Sequence, residues 1–242
     1  MTIYQADIKD ARVNSFGASF QTFQRTKLYD LLTGMPLVVW YAFLLFNQIP
    51  PLVDQILSLD LATADARFFA SLASKLATQI FFMVLALLMV VRRKPLGKAS
   101  GFYPKFAAVL GTFMSVLLVQ LPPRDLSVSL HVISTLLIFC GVGFSIYAVL
   151  KLGRSLSMLP EARRLVTSGP YSVIRHPLYV SEAVALFGLT LQYLSPWALA
   201  LFVLQCIFQL ARMHNEEIVL SRTFPEYRDY AARTARLVPG LY

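Results

Sequence analysis

Most side chains able to do chemistry fall in two polar stretches of an otherwise apolar chain. The first, residues 151–179, reads KLGRSLSMLPEARRLVTSGPYSVIRHPLY, and the second, residues 212–230, reads RMHNEEIVLSRTFPEYRDY. In the first stretch Gly169-Pro170 is a turn signal, and Pro177 suits the opening turn of a helix, where its missing N–H costs nothing. Arg175 and His176 then stand at a helix N-terminus, whose unpaired N–H groups favour an anion. In the second stretch Arg212 and Glu216 are four apart and share one helix face. Glu182 lies one turn into the apolar run after Pro177, where an acid is costly unless it is paired or functional. Plainer readings stand beside these. Arg175 and His176 suit an interfacial anchor and cap, Glu216 and Glu217 a solvated helix end paired with Arg212, and Tyr171 and Tyr179 an aromatic belt. There is no Walker loop, no Cys/His cluster with zinc spacing and no GxSxG, so neither phosphate-loop, metal nor serine-hydrolase chemistry is indicated. Gly141-Val142-Gly143 lacks the later glycine of a dinucleotide loop and sits mid-span, where small residues let helices pack closely. His131, near a span start, reads as structural.

The elements that must position these residues are membrane helices. Hydrophobic residues make up 57% of the 242-residue chain and charged residues 14%, too apolar for a water-soluble domain. Six apolar segments, at about 31–49, 72–91, 104–121, 127–150, 178–194 and 196–212, approach the roughly 20 residues that cross a bilayer. The last two are short and read as a helical hairpin turning at Ser195-Pro196. With the N-terminus in the cytoplasm, all of the 22 lysines and arginines except Arg67, Lys75 and Arg124 fall on the inner side. That accounts for most of the net charge of +9 and removes the main support for nucleic-acid binding. Both termini are expected in the cytoplasm, in a bacterial inner membrane, with no cleavable signal peptide. Phe16, Phe20 and Phe23 have the spacing of a short interfacial helix, and Leu52 to Ala70 that of an outer amphipathic segment. Cys140 and Cys206 lie in apolar runs and read as packing residues. The expected fold is an all-α integral membrane domain of about six transmembrane helices. Residues 1–150 form its first four spans, and 151–242 its polar segments and hairpin.

Three motifs together resemble the isoprenylcysteine carboxyl methyltransferase family and its phospholipid and thiol methyltransferase relatives. They are Leu165-Val166-Thr167-Ser168-Gly169-Pro170-Tyr171, Arg175-His176-Pro177-Leu178-Tyr179, and Glu216-Glu217 ahead of Phe224-Pro225-Glu226-Tyr227. The resemblance covers about residues 150–242. It implies methyl transfer from S-adenosyl-L-methionine to a lipid or prenylated acceptor within the membrane, without a metal. By position, Arg163, Arg164, Leu165 and Val166 would line the cofactor cavity, partly through backbone. Tyr171, His176, Pro177, Leu178 and Tyr179 would continue it, and Glu216 would close it. Arg212 matches the family position assigned to the methyl acceptor. A carboxylate acceptor is already nucleophilic and Arg212 could orient it, whereas an amine must lose a proton, to Glu216 or Glu217. Ser181 stands where the family often has glycine and keeps close packing possible. Glu182 has no family role; pairing with Arg175 or Arg212, or contact with substrate, are its readings. The resemblance suggests carboxyl methylation of an isoprenylcysteine-type substrate. A phospholipid, small-thiol or amine acceptor is the alternative, and an NADPH-dependent sterol-type reductase a further one.

Overall fold

Side-chain caps mark where several of the helices begin. The computed structural model describes residues 26–60 and 64–240. Helix α1 (Lys27–Leu57) starts after Thr26, whose hydroxyl accepts the Tyr29 amide at 3.2 Å. Asp65 caps α2 (Ala66–Val91) in the same way, accepting Phe68 N–H at 3.0 Å. Helix α3 (Tyr103–Phe113) tightens into a 3₁₀ segment, Met114–Gln120, and α4 (Val128–Leu152) follows. Helix α5 (Pro177–Gln192) turns through Ser195, which caps α6 (Pro196–Thr223), and α7 (Tyr227–Arg233) ends the series. Two short strands, β1 (Gly97–Lys98) and β2 (Glu161–Ala162), pair antiparallel.

The fold is thus all-α and membrane-integral. Five stretches among the described residues are long and apolar enough to cross a bilayer: α1, α2, α3 with its 3₁₀ extension, α4 and α6. Leu37, Tyr41, Leu85, Met89, Val149 and Leu156 form the core between α1, α2 and α4. Outward positions such as Val39, Phe43 and Phe46 on α1 and Ile80, Met83 and Leu87 on α2 are exposed, as suits side chains facing hydrocarbon.

The lengths differ from the sequence expectation in three places. Helix α1 continues through Pro50 and Pro51 to Leu57, so 52–57 belong to a span and not to an outer amphipathic segment. Prolines near a helix end remove few hydrogen bonds, and Gln55, which donates to Phe68 O at 3.2 Å and accepts from Lys75 Nζ at 2.6 Å, ties that end to α2. Helix α5 has 16 residues, about 24 Å at 1.5 Å per residue, and stops short of the roughly 30 Å hydrocarbon thickness. Helix α6 instead runs on to Thr223, which carries the second polar stretch on a continuous helix. The expected interfacial helix around Phe16, Phe20 and Phe23 lies outside the described residues.

Small residues bring α4 and α5 together. A Cβ on Gly141 would stand 2.5 Å from Ala185 N, and one on Gly188 would stand 2.7 Å from Ser134 O. Ser145 and Ser181 share a buried hydroxyl–hydroxyl hydrogen bond of 2.7 Å, and the Ser134 hydroxyl donates to Gly188 O at 2.8 Å. Close packing at Ser181 is therefore kept, and Gly141 has the packing role its position indicated. Gly143 has open space around it.

At the basic end of the bundle, Asp30 gathers charges from three segments. Its carboxylate meets Arg92 Nε at 3.1 Å and Arg163 Nη2 at 2.8 Å, and Arg163 also reaches Glu161 at 2.5 Å. Ser157 donates to the same Glu161 oxygen at 2.9 Å. Gly34 admits the Arg92 guanidinium, since a Cβ there would stand 2.9 Å from Nη2. This buried cluster holds the 157–163 loop against α1 and α2, fixing one wall of the polar cleft.

Gly141→Val is expected to destabilise the protein by about 1–3 kcal/mol, the usual cost of overpacking. It should appear as a lower thermal midpoint in detergent, with Gly143→Ala, in open space, within about 0.5 kcal/mol of wild type.

Candidate functional site

The first polar stretch is shaped by two left-handed glycines. Gly153, at φ +54, ends α4, and Gly169, at φ +65, opens the short turn Gly169–Ser172 that presents Tyr171 inward. The chain then reaches Arg175 and His176, where three segments meet on one carboxylate. Glu217, on α6, accepts from Arg175 Nε at 2.9 Å, is 3.1 Å from His176 Nε2, and pairs with Arg236. Arg175 also donates to Ala231 O at 2.7 Å and to Thr234 O. Backbone bonds from Arg175 N to Ala235 O at 2.8 Å and from His176 N to Arg236 O at 3.2 Å complete the join. The N–H groups of residues 175 and 176, just ahead of α5, are therefore taken by the C-terminal segment.

A cleft opens beside this join, lined in part by α5 and α6. Arg163, Arg164, Leu165, Val166, Tyr171, His176, Leu178, Tyr179, Arg212 and Glu216 all line it. Leu156, Tyr227 and Tyr230 contribute further wall. Burial pushes the Tyr230 phenol up to about 12 and lifts Tyr171 and Tyr227 well above the ordinary tyrosine range. These three therefore line the cleft as neutral hydroxyls at neutral pH. The Tyr230 hydroxyl donates to Tyr171 O at 2.7 Å, bracing the turn.

Tyr179 and Arg212 line both the cleft and a second, larger space. That space is an apolar cavity among the helices, walled by residues such as Trp40, Phe81, Val116, Ile138 and Leu186. Tyr179 Oη donates to Glu216 Oε2 at 2.7 Å, and the Arg212 guanidinium lies 5.0 Å from the Tyr179 ring centroid. Arg212 is buried and makes long hydrogen bonds, 3.3 Å to Thr112 Oγ1 and 3.5 Å to Ser157 O. No carboxylate of a described residue lies within 4.0 Å of it. Glu182 also lines the apolar cavity, where it accepts from Gln209 Nε2 at 2.8 Å.

The structure brings together nine of the ten residues expected around a cofactor, and Arg212 with them. The geometry differs from the expectation at several residues. Pro177 is fully buried at the start of α5 and does not line the cleft. The Arg163 side chain is spent on Asp30 and Glu161. His176 Nε2 is spent on Glu217, since three donors converge there and leave that nitrogen no second role. Glu182 pairs with neither Arg175 nor Arg212, and the Arg212–Glu216 pair of the plainer reading is not formed, because Tyr179 takes Glu216. Sequence reasoning missed Thr112, Gln205 and Gln209, which sit among apolar neighbours with no motif around them, and Ser157, within the first polar stretch. It also left Arg236 out of the site. The i, i+4 spacing of Gln205 and Gln209 on an apolar helix is the one signal that could have marked them.

The site is thus a polar cleft and an apolar cavity within a membrane helical bundle, sharing Tyr179 and Arg212 in their walls. Residues 129–227 match the model of the phospholipid methyltransferase family. That family is one of integral membrane methyltransferases related to the isoprenylcysteine carboxyl methyltransferases, and the match covers about two fifths of the chain. It is also similar to a nickel-cobalt-cadmium resistance protein of Alcaligenes xylosoxydans xylosoxydans, 42% identical over 82 residues, which cover 34% of this chain and 38% of that protein. A cobalt-zinc-cadmium resistance protein of Cupriavidus metallidurans is 40% identical over 78 residues, covering 32% of this chain and 36% of that one. The matches thus span just over a third of the length of these curated relatives.

Replacing Glu217 by alanine leaves Arg175, His176 and Arg236 facing one another with no counter-charge. The expected loss is about 3 kcal/mol or more of stability, measurable as a drop in thermal midpoint. Glu217→Gln, which keeps the shape and part of the hydrogen bonding, should lose less.

Proposed function

We propose that the chain transfers a methyl group from S-adenosyl-L-methionine to an amphiphile held in the membrane, with a carboxylate of the isoprenylcysteine type as acceptor. The observation that carries this reading is the placement of Arg212. Its buried guanidinium lines both the polar cleft and the apolar cavity, without a carboxylate partner among the described residues. A cationic group buried in this way is stabilised by an anion with matching geometry, and a carboxylate fits guanidinium in a two-pronged pair.

The cleft suits the methyl donor. Its wall mixes apolar, aromatic and charged groups. Glu216 gives one oxygen to Tyr179, and its other oxygen is positioned to take the donor's ammonium or ribose hydroxyls. Tyr171, Leu165, Val166 and Leu178 supply wall for the adenosyl portion, and Arg164 is the charged group at the exposed rim. When bound, the donor supplies an activated methyl carbon to an attacking nucleophile. The chain's own part is alignment and exclusion of water. Tyr179 and Arg212 hold the acceptor head at the junction, and the helices around the larger cavity keep its chain dry. A carboxylate needs no general base. On this reading the basic end of the bundle faces the cytoplasm, where the donor is available, and the membrane is a bacterial inner membrane.

A phospholipid amine is the second reading, favoured by the family matched at residues 129–227. Its ammonium must lose a proton before attack, and Glu216, at the junction, is the carboxylate available to accept it, whereas Glu217 is tied by its three partners.

Calorimetric titration of the detergent-purified protein with S-adenosylhomocysteine should give micromolar binding, weakened about tenfold or more in Glu216→Ala, the loss of one charge-assisted contact. Arg212→Lys should lower transfer to a carboxylate acceptor by about a hundredfold, with a smaller effect on that affinity. A preparation shown to be folded that ignores S-adenosylhomocysteine and binds NADPH would overturn the assignment in favour of a reductase.

A further inference from the structure

The wall of the apolar cavity below Arg212 carries a group of hydrogen-bond acceptors with nothing to receive. Gln205, Gln209 and Glu182 line the cavity between α5 and α6. Gln209 uses its amide N–H to reach Glu182 Oε2 at 2.8 Å, and Gln205 uses its own to reach Gly111 O at 2.5 Å. Each amide's orientation is set by the acceptor it serves, because turning it over would set two oxygens against each other. The consequence is that Gln205 Oε1 and Gln209 Oε1 are both buried without a donor. Glu182 has no lysine, arginine or histidine of a described residue within 4.0 Å, although it faces a largely apolar space. Buried acceptors left in this state cost about 1–3 kcal/mol each, and a carboxylate more, unless a ligand supplies donors.

A hydrocarbon chain cannot meet that need, and a group rich in N–H donors can. Gln209 and Arg212 are three residues apart on α6, about 4.5 Å of helix rise, so the acceptor group lies one turn below the guanidinium that takes the acceptor's carboxylate. We propose that Glu182, Gln209 and Gln205 select an acceptor whose head carries an ammonium beside its carboxylate: an S-alkylated amino acid with a free α-amino group and a long apolar chain. The inference rests on the carboxylate reading of Arg212 given above. Arg212 takes the carboxylate, Glu182 and the two glutamine oxygens take the three N–H donors of the ammonium, and the apolar walls take the chain. An N-acylated head, with one N–H, leaves two of these three acceptors without a donor. Glu182 is then a specificity-determining residue of the acceptor site, not a structural oddity of α5.

The test is binding without turnover. The full chain, in lipid nanodiscs saturated with S-adenosylhomocysteine, is titrated with S-farnesylcysteine and with N-acetyl-S-farnesylcysteine. The free-amino compound should bind about tenfold or more tighter, the worth of a charge-assisted contact in a dry site. Glu182→Gln, which keeps the shape and removes the charge, should bring the two affinities to within about threefold. Equal affinities in the wild type would overturn the inference and leave the methyltransferase reading standing, as would failure of both compounds to bind while S-adenosylhomocysteine does. Loss of S-adenosylhomocysteine binding alone, with the preference for the free-amino compound intact, would overturn the methyltransferase reading and support the ammonium site. The wild-type comparison needs no variant, so misfolding of Glu182→Gln would not remove the test.

Discussion

Glu217 is the constraint on which the rest of the site depends. A carboxylate on a long helix is held by Arg175, His176 and Arg236, which come from the loop before α5 and from the segment after α7. Any one of these charges alone, at the membrane surface, would be an ordinary snorkelling residue. Together, on one shared carboxylate, they close the basic end of the bundle around the cleft. The backbone bonds between 175–176 and 235–236 give the join its direction, and the Tyr230–Tyr171 bond carries it to the turn that forms the cleft wall. The Asp30 cluster does the same for the opposite wall, tying α1 and α2 to Arg163.

With both walls held, the chemistry falls at the point where polar and apolar spaces touch. Tyr179 is central to that junction. It bonds Glu216, stacks beneath Arg212 and packs against His176, whose ring lies 5.3 Å away. These contacts orient a cation and an anion at one boundary without letting them neutralise each other. An ion pair between Arg212 and Glu216 would satisfy both and leave neither for a ligand. The aromatic ring and hydroxyl between them keep both charges available.

The short α5 follows from the same requirement. Its small residues, Ser181, Ala185 and Gly188, let it lie against α4 at backbone distance. That close approach draws α5 to one side and leaves room toward α3 and α6 for the apolar cavity. A helix of full length and ordinary bulk would fill the space that an amphiphile needs.

The sequence by itself determined the membrane class, where the helices lie though not where α1 and α6 end, and the motif residues that line the cleft. Apolar runs of span length, caps such as Ser195 and turn glycines such as Gly169 are local signals, and they need no partner to be read. Packing of Gly141 was legible for the same reason, since a small residue in a buried helix has few other uses. What only the tertiary structure decided is which charge meets which. Arg163, Arg175 and His176 were visible as candidates, but whether each faces a ligand or another residue depends on Asp30, 133 residues from Arg163, and on Glu217, 42 and 41 residues from Arg175 and His176. Gln205 and Gln209 became informative only once α5 and α3 were placed against them. Electrostatic and hydrogen-bond partnership is set by distance in space, and a chain's local pattern carries no record of that distance until it is folded.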